Sequence, residues 1–278
     1  MRDRFHIKEA EEAIYMPVID TTVDLVHYHR IYTGNDVCER LIQSPAQFKE
    51  IFEYACCYNK KVTLLTPVCT ESGLGRIKAI FDIAYKSGVE IEAAVNDMGI
   101  MNLLAEGYEN IKPVMGRLNT IRFTLPYQSH HQFRLSNRIN PKKRKKILDT
   151  QIFHEEYYDF FKEYGINRME MDNRVSACLY ADHLLKNGIY TTLYLPYTLI
   201  SVTRRCLFAS RKLASSVFAL TGCNKECMGA KIYLKNKSGM TILARETAFY
   251  IQQDIKAEEV YPEYLKKIDR TVIFPEVF

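Results

Sequence analysis

Short strand-like runs alternate with longer amphipathic segments along most of this 278-residue chain. The predicted strands are Leu25–Tyr32, Lys61–Val68, Val89–Val95, Ile111–Met115, Arg168–Asp172 and Tyr190–Leu195. The predicted helices between them are Pro45–Tyr58, Glu71–Lys86, Met98–Glu106, His154–Tyr164 and Ser176–Lys186. Parallel strands need long crossover connections, which are usually helical. The alternation therefore predicts an α/β fold with helices covering a parallel sheet.

The number of strands favours a closed sheet. With a first strand near Phe5–Lys8 and a last one at Thr271–Phe274, the count reaches about eight, which is typical of a (β/α)8 TIM-barrel-like fold. A hairpin at Lys231–Leu243 interrupts the repeat, so we expect a distorted barrel with an inserted hairpin near the C-terminus. An open doubly wound sheet is the alternative, but no glycine-rich phosphate loop follows any strand. No linker divides the chain, which predicts one domain over residues 1–278.

Composition narrows the class of protein. The net charge is +5, and much of the excess lies in the run Lys142–Lys146, so the overall charge is weak evidence for a nucleic-acid partner. No run approaches the roughly 20 apolar residues that span a bilayer, and no apolar segment follows Met1. Eight cysteines are too few for a disulfide scaffold. We therefore expect a cytoplasmic protein whose clustered cysteines serve metal or redox chemistry.

Two of the cysteines lie close together in the segment Gly222-Cys223-Asn224-Lys225-Glu226-Cys227. A short loop can return the chain so that both thiols face one metal centre. Cys38 and Cys206 both follow predicted strands, and loops at the carboxyl ends of strands form one face of a barrel. The spacing therefore predicts that Cys38, Cys206, Cys223 and Cys227 form a set of four thiolates.

Four thiolates suit either a [4Fe-4S] cluster or a structural zinc ion. Structural zinc sites usually draw their ligands from two tight pairs, whereas here one pair is tight and two cysteines stand alone. This dispersed pattern favours the cluster. The remaining four cysteines fit ordinary apolar packing positions.

Other polar residues are candidates for catalysis. His27 and His29 share one face of a predicted strand, so they could line the barrel interior beside Cys38, although histidines in a half-polar strand are the favoured explanation. Glu170 and Asp172 also share one face, which is either the barrel interior or a solvated surface. Arg205 precedes Cys206 and could offset the negative charge of a cluster or of an anionic substrate; a surface arginine is the alternative.

The run Lys142–Lys146 could bind RNA by neutralising phosphates, although most charge runs are solvated surfaces. Few aromatic residues for base stacking accompany it. The chain contains no G-x-S-x-G elbow, HExxH motif or P-loop.

Several segments resemble a known group of proteins. They are LVHYHRIYTGNDVCERL (Leu25–Leu41), EIEAAVNDMGIMNLLAEG (Glu90–Gly107), IKPVMGRLNT (Ile111–Thr120), LPYTLISVTRRCLFAS (Leu195–Ser210) and the following GCNKEC. In order and spacing they are similar to the collagenase-like peptidase family, family U-32, and within it to the branch for oxygen-independent ubiquinone hydroxylation. The resemblance spans most of the chain.

The resemblance implies a barrel that carries a [4Fe-4S] cluster on the same four cysteines. It also implies hydroxylation of an aromatic or heteroaromatic small molecule, as an oxidoreductase or as one subunit of a heterodimer of paralogues. RNA-base hydroxylation, a non-catalytic metal-binding partner subunit and a peptidase are the alternatives. The glycine-containing first strand and the longer peptidase signature of the family are absent here.

Overall fold

The structure is a computed structural model. It describes residues 10–120, 155–173, 175–203, 206, 208, 223–235, 241–252 and 267–275. The described strands are β1 (Glu11–Tyr15), β2 (Arg30–Gly34), β3 (Lys61–Leu65), β4 (Ile91–Val95), β5 (Ile111–Met115), β6 (Arg168–Asp172), β7 (Tyr190–Leu195), β8 (Tyr197–Val202), β9 (Ile232–Lys235), β10 (Thr241–Arg245), β11 (Ala248–Gln252) and β12 (Arg270–Ile273).

Eight of these strands form a closed barrel in the order β1-β12-β7-β6-β5-β4-β3-β2. All of its strand pairs are parallel, and the first and last strands close the ring through β1 and β12. The predicted (β/α)8 TIM-barrel-like fold is therefore confirmed. Because β8 to β11 intervene between the seventh and eighth barrel strands, the chain makes an excursion before the barrel closes.

The described helices cover the outside of the barrel. They are α1 (Pro45–Cys57), α2 (Glu71–Ser87), α3 (Met98–Ala105), α4 (Glu155–Glu163) and α5 (Val175–Lys186). Their ends follow local signals in the sequence. Ser44 and Gln47 form a capping box before α1, and Gly88 ends α2 in the left-handed conformation with φ 68°. The predicted helix bounds are confirmed to within two residues.

One of the two strands predicted at the start of the chain needs correction. The predicted strand at Phe5–Lys8 lies outside the described residues, and the first barrel strand is β1. The predicted strand Leu25–Tyr32 is wrong over its first half, because Leu25–His27 is a short 3-10 helix and β2 begins only at Arg30. Asp24 caps this turn by accepting a hydrogen bond from the backbone N–H of Val26. A local side-chain cap thus outweighs the alternating pattern.

Side chains that point into the barrel form layers. At the N-terminal ends of the strands, Arg30, Arg168 and Arg270 pair with Glu11, Glu92 and Asp269. The Glu92 carboxylate accepts from two guanidinium nitrogens of Arg270 at 2.6 and 3.1 Å. The three guanidinium groups are therefore paired with three carboxylates, and this pairing offsets the cost of burying the charges.

The next layer is mostly apolar and aromatic. It contains Ala13, Tyr32, Leu65, Ala94, Tyr194 and Val272. Tyr15 and Phe274 lie at the C-terminal ends of their strands and stack with ring centroids 4.3 Å apart. Packed rings thus separate the ionic layer at the bottom of the barrel from the loops at its mouth.

The excursion forms a second sheet with the order β8-β11-β10-β9, in which all pairs are antiparallel. The inserted hairpin is confirmed by β9 and β10, although its predicted turn at residues 236–239 lies outside the described residues. The sheet buries Leu199, Leu243, Ala248 and Tyr250 against Val37, in the loop after β2. Apolar packing therefore fixes the second sheet at the C-terminal mouth of the barrel.

Candidate functional site

The predicted thiols lie on three segments at the C-terminal side of the barrel. Cys38 follows β2 by four residues, and its side chain packs with the cluster of the second sheet. Cys206 follows β8, and its thiol lies 3.9 Å from the carbonyl oxygen of Glu246. Cys223 and Cys227 precede β9. This is the barrel face on which active sites are built.

The loop between the close pair of cysteines turns sharply. Lys225 adopts a left-handed conformation with φ 60°, and its backbone N–H donates to the sulfur of Cys223 at 3.4 Å. The backbone N–H of Ala230 donates to the carbonyl of Cys227 at 3.0 Å. Local hydrogen bonds therefore shape the chain around both sulfurs.

The four thiols act on one another electrostatically. Burial raises the pKa of Cys227 to about 12, with further contributions from Cys206, Glu246, Cys38 and Cys223. Burial also raises the pKa of Cys38, which Glu246 and Cys206 raise further and backbone N–H groups lower. The structure thus brings Cys38, Cys206, Cys223 and Cys227 into one neighbourhood. Within the described residues, no three His, Cys, Asp or Glu side chains have the spacing to hold a single metal ion.

A buried arginine lies beside this neighbourhood. Arg117 follows β5 and is 1% exposed. Its Nε donates to Asp36 at 2.6 Å, and its Nη1 donates to Asp172 at 3.4 Å. Its guanidinium lies 4.3 Å from the ring centroid of Tyr194, in the geometry of a cation–π contact. Arg117 therefore links the loop that carries Cys38 to the ends of β6 and β7.

Beneath Arg117, a fully buried carboxyl occupies the barrel axis. Glu170 is 0% exposed and accepts a hydrogen bond from the Tyr194 hydroxyl. Burial raises its pKa to about 7, although hydrogen bonds from Tyr194 and Tyr32 and the charge of Arg270 lower it. Its Oε1 has no hydrogen-bond partner in the described part of the chain. Glu170 can therefore exchange a proton near neutral pH.

The predicted acidic pair is thus inside the barrel, and the alternative of a solvated strand face is wrong for Glu170 and Asp172. The prediction for His27 and His29 is also wrong. Both are exposed and precede β2, so they lie at the N-terminal end of the barrel, away from Cys38. Arg205 and Lys142–Lys146 lie outside the described residues.

Sequence reasoning missed Arg117, Glu246 and Asn35. Arg117 follows a strand end, which was an available signal, but its burial depends on carboxylates from two other segments. Glu246 stands in the turn between β10 and β11, where no local pattern marks a functional residue. Asn35 and Glu246 are 211 residues apart, yet their side chains form a hydrogen bond of 2.7 Å.

Comparison with known proteins leaves the family open. No model of a protein family matches the sequence. No curated protein matches it either. Among solved structures, "The Structure of the U32 Peptidase Mk0906" superposes with a TM-score of 0.46 and 9% sequence identity, over 97% of this chain and 94% of that chain. The barrel assignment therefore rests on the strand pairing of this chain itself.

The donor set at the mouth fits an iron–sulfur cluster chemically. Thiolates are the ligands that such clusters use, and the four cysteines of this neighbourhood would have to lose their thiol protons on binding one. Cys227 is 5% exposed, so a group bound there would be shielded from water on at least one side. Among the described residues, no helix has the length and apolar character needed to cross a membrane.

Proposed function

We propose that this chain binds a [4Fe-4S] cluster through Cys38, Cys206, Cys223 and Cys227, and that it supports oxygen-independent hydroxylation of an aromatic or heteroaromatic small molecule. One observation carries the proposal: Cys38, Cys206 and Cys223 all raise the pKa of Cys227 at the mouth of the barrel. The Cys227 thiol is buried, and closely placed thiols of this kind are costly to ionise without a cation or cluster. A bound cluster would stabilise them as thiolates.

The distribution of the thiols favours a cluster over zinc. A zinc ion holds each sulfur at about 2.3 Å, and structural zinc sites usually take their ligands from tight pairs. Here the ligands would come from the loop after β2, from the end of β8 and from the segment before β9. Three separate segments suit a larger group that bridges them.

When bound, the cluster would supply electron transfer or Lewis-acid activation. The chain itself would supply proton transfer and shielding. The Glu170 carboxyl, with a pKa of about 7, holds or releases a proton through its hydrogen bond with Tyr194. The carboxyl is fully buried inside the barrel, so bulk water does not reach it.

Anaerobic purification tests the cluster. We expect a brown protein with about four iron and four sulfide per chain and the broad visible absorption of such clusters. Replacing Cys38 by Ala should lower the iron content, because this thiol comes from a distant segment. Replacing Cys56 by Ala is the matched control, since Cys56 is exposed on α1. A colourless protein with one zinc ion would contradict the cluster. Unchanged iron in the Cys38→Ala variant would remove Cys38 from the set of ligands.

A deletion strain grown without oxygen tests the reaction. We expect one aromatic metabolite to lose a single oxygen atom in the deletion strain, and a plasmid carrying the wild-type chain to restore it. The Cys227→Ala chain should fail to restore it. Loss of a hydroxylated nucleoside from RNA instead would support the RNA-base alternative and overturn the small-molecule substrate.

A further inference from the structure

The turn between β10 and β11 has an unusual residue at its left-handed position. Glu246 has φ 57°, a conformation that glycine and asparagine adopt at lower cost. Its side chain is mostly buried, with 11% of its surface exposed, although burial of a carboxylate is unfavourable. Burial accordingly raises the pKa of Glu246, which Arg245 and Asn35 oppose. Neither the backbone nor the burial explains why glutamate stands here.

The contacts of the side chain do explain it. The Glu246 carboxylate accepts a hydrogen bond of 2.7 Å from the side-chain amide of Asn35. The other end of that amide, Oδ1, accepts from the backbone N–H groups of Val37 at 3.0 Å and Cys38 at 2.7 Å. Glu246 therefore fixes the orientation of Asn35, and Asn35 fixes the backbone of the Cys38 loop.

The same turn contacts the thiol neighbourhood at two further points. The Thr247 hydroxyl donates to the carbonyl of Val37 at 2.7 Å. The Cys206 thiol lies 3.9 Å from the carbonyl oxygen of Glu246, within the range for a weak sulfur hydrogen bond. One two-residue turn thus contacts both the Cys38 loop and Cys206.

We propose that Glu246 is a positioning residue that holds Cys38 in place relative to Cys206 through Asn35. The proposal rests on the proposed function, because it gives the second sheet a task in the cysteine site. The sheet acts as a brace: it packs on Val37 through apolar residues and presents Glu246 to Asn35. The sulfur of Cys38 would therefore already be in position before a cluster binds.

Thiol alkylation of the metal-free protein tests directly whether Glu246 positions Cys38. Iodoacetamide labelling, followed by peptide mass spectrometry, gives a rate for each cysteine. We expect Glu246→Ala to speed labelling of Cys38 about tenfold, the factor expected from losing one hydrogen bond to a charged group. Alanine and glutamate have a similar cost in the left-handed conformation, so the substitution should leave the conformation of the turn unchanged. Cys56 and Cys57 are exposed and serve as internal standards within each sample.

Two further variants distinguish a positioning role of Glu246 from general unfolding of the protein. Glu246→Gln retains an acceptor at the same position, so it should restore the wild-type labelling rate. Asn35→Ala removes the bond to Glu246 and also the two bonds to the Cys38 loop, so it should speed labelling of Cys38 at least as much as Glu246→Ala. Equal acceleration at Cys38 and at Cys69, a half-buried thiol in the segment after β3, would mean general unfolding and overturn the positioning role. An unchanged rate at Cys38 in both alanine variants would also overturn it.

The reconstituted protein provides an independent measurement. We expect Glu246→Ala to broaden or shift the electron paramagnetic resonance spectrum of the reduced cluster, and Glu246→Gln to retain the wild-type spectrum. An identical spectrum in all three proteins would overturn the positioning role. If no cluster can be reconstituted in the wild-type protein, the proposed function fails, and the labelling rates still decide whether Glu246 orders the Cys38 loop.

Discussion

Two buried glutamates of the same barrel have opposite pKa shifts. Burial would raise the pKa of Glu92, but Arg270, Arg30 and Arg168 lower it to about 2. Burial raises the pKa of Glu170 to about 7, because tyrosines rather than guanidinium groups contact its carboxyl. The partners, more than the depth of burial, therefore decide which carboxyl is ionised at neutral pH.

Glu170 should make the stability of the protein depend on pH in the neutral range. Its folded-state pKa lies above the ordinary value of 4.5, so its stabilising contribution is complete below pH 4.5 and is lost as the pH rises through about 7. We expect Glu170→Gln to gain up to about 3 kcal/mol in unfolding free energy relative to wild type between pH 5 and pH 9. Urea unfolding at several pH values measures this difference.

Glu50→Gln on the exposed face of α1 is the control, and its difference from wild type should stay constant with pH. A constant difference for Glu170→Gln as well would show that this carboxyl keeps one protonation state over the whole range. Such a result would exclude a role for Glu170 in proton transfer.

Paired charges also join separate strands. Glu92 on β4 binds Arg270 on β12 with two hydrogen bonds and lies 3.2 Å from Arg30 on β2. Removing one partner of a buried ion pair leaves an uncompensated charge. Glu92→Gln should therefore cost about 3 to 5 kcal/mol of unfolding free energy at pH 7, as measured by urea unfolding.

Glu92 should make the unfolding free energy depend on pH in the opposite direction to Glu170. Because the pKa of Glu92 is lowered to about 2, its stabilising contribution is present above pH 4.5 and is lost as the pH falls toward 2. The cost of Glu92→Gln should accordingly shrink in that range. The exposed pair Lys49–Glu53 offers a control, since Glu53→Gln should change stability little at any of these pH values. A cost that does not vary with pH would contradict this account.

At the mouth, Arg117 connects the loop after β2 with β6. Replacing Arg117 by Met keeps much of the side-chain volume but leaves Asp36 and Asp172 without their buried cation. We expect a loss of about 3 to 5 kcal/mol in unfolding free energy. Thermal and urea unfolding both measure it, and a loss below about 1 kcal/mol would mean that the two carboxylates find other partners.

Sequence patterns predicted elements well where the signals are local. Ser44 and Pro45 marked the start of α1, and Gly88 marked the end of α2. The placement of His27 and His29 failed because the cap at Asp24 delays β2, which no periodicity reveals. Arg117 and Glu246 were missed because their partners lie far along the chain. Their roles depend on tertiary contacts, which local periodicity does not encode.

On the scale of the whole molecule, closure depends on the last described strand. β12 pairs with β1 on one side and with β7 on the other. It also supplies Arg270 to the ionic layer. Without it the barrel would have two unpaired strand edges, and Glu11 and Glu92 would lose one of their arginine partners.

A chain that ends at Ile268 should therefore lose cooperative unfolding, whereas a chain that ends at Pro275 should retain it. The longer chain keeps Phe274, which stacks on Tyr15. Circular dichroism during thermal unfolding measures the difference. A sharp transition in the shorter chain would show that seven strands are enough for a stable core.

The position of the second sheet between the seventh and eighth barrel strands sets an order of assembly. Cys38 is made early in synthesis, and Cys206 follows 168 residues later (206 minus 38). The turn that contacts both is made later still, only 23 residues before β12 begins (270 minus 247). A nascent chain therefore exposes its first thiol long before the remaining partners exist. A cluster site of the proposed kind can therefore form only after the turn between β10 and β11 has been made.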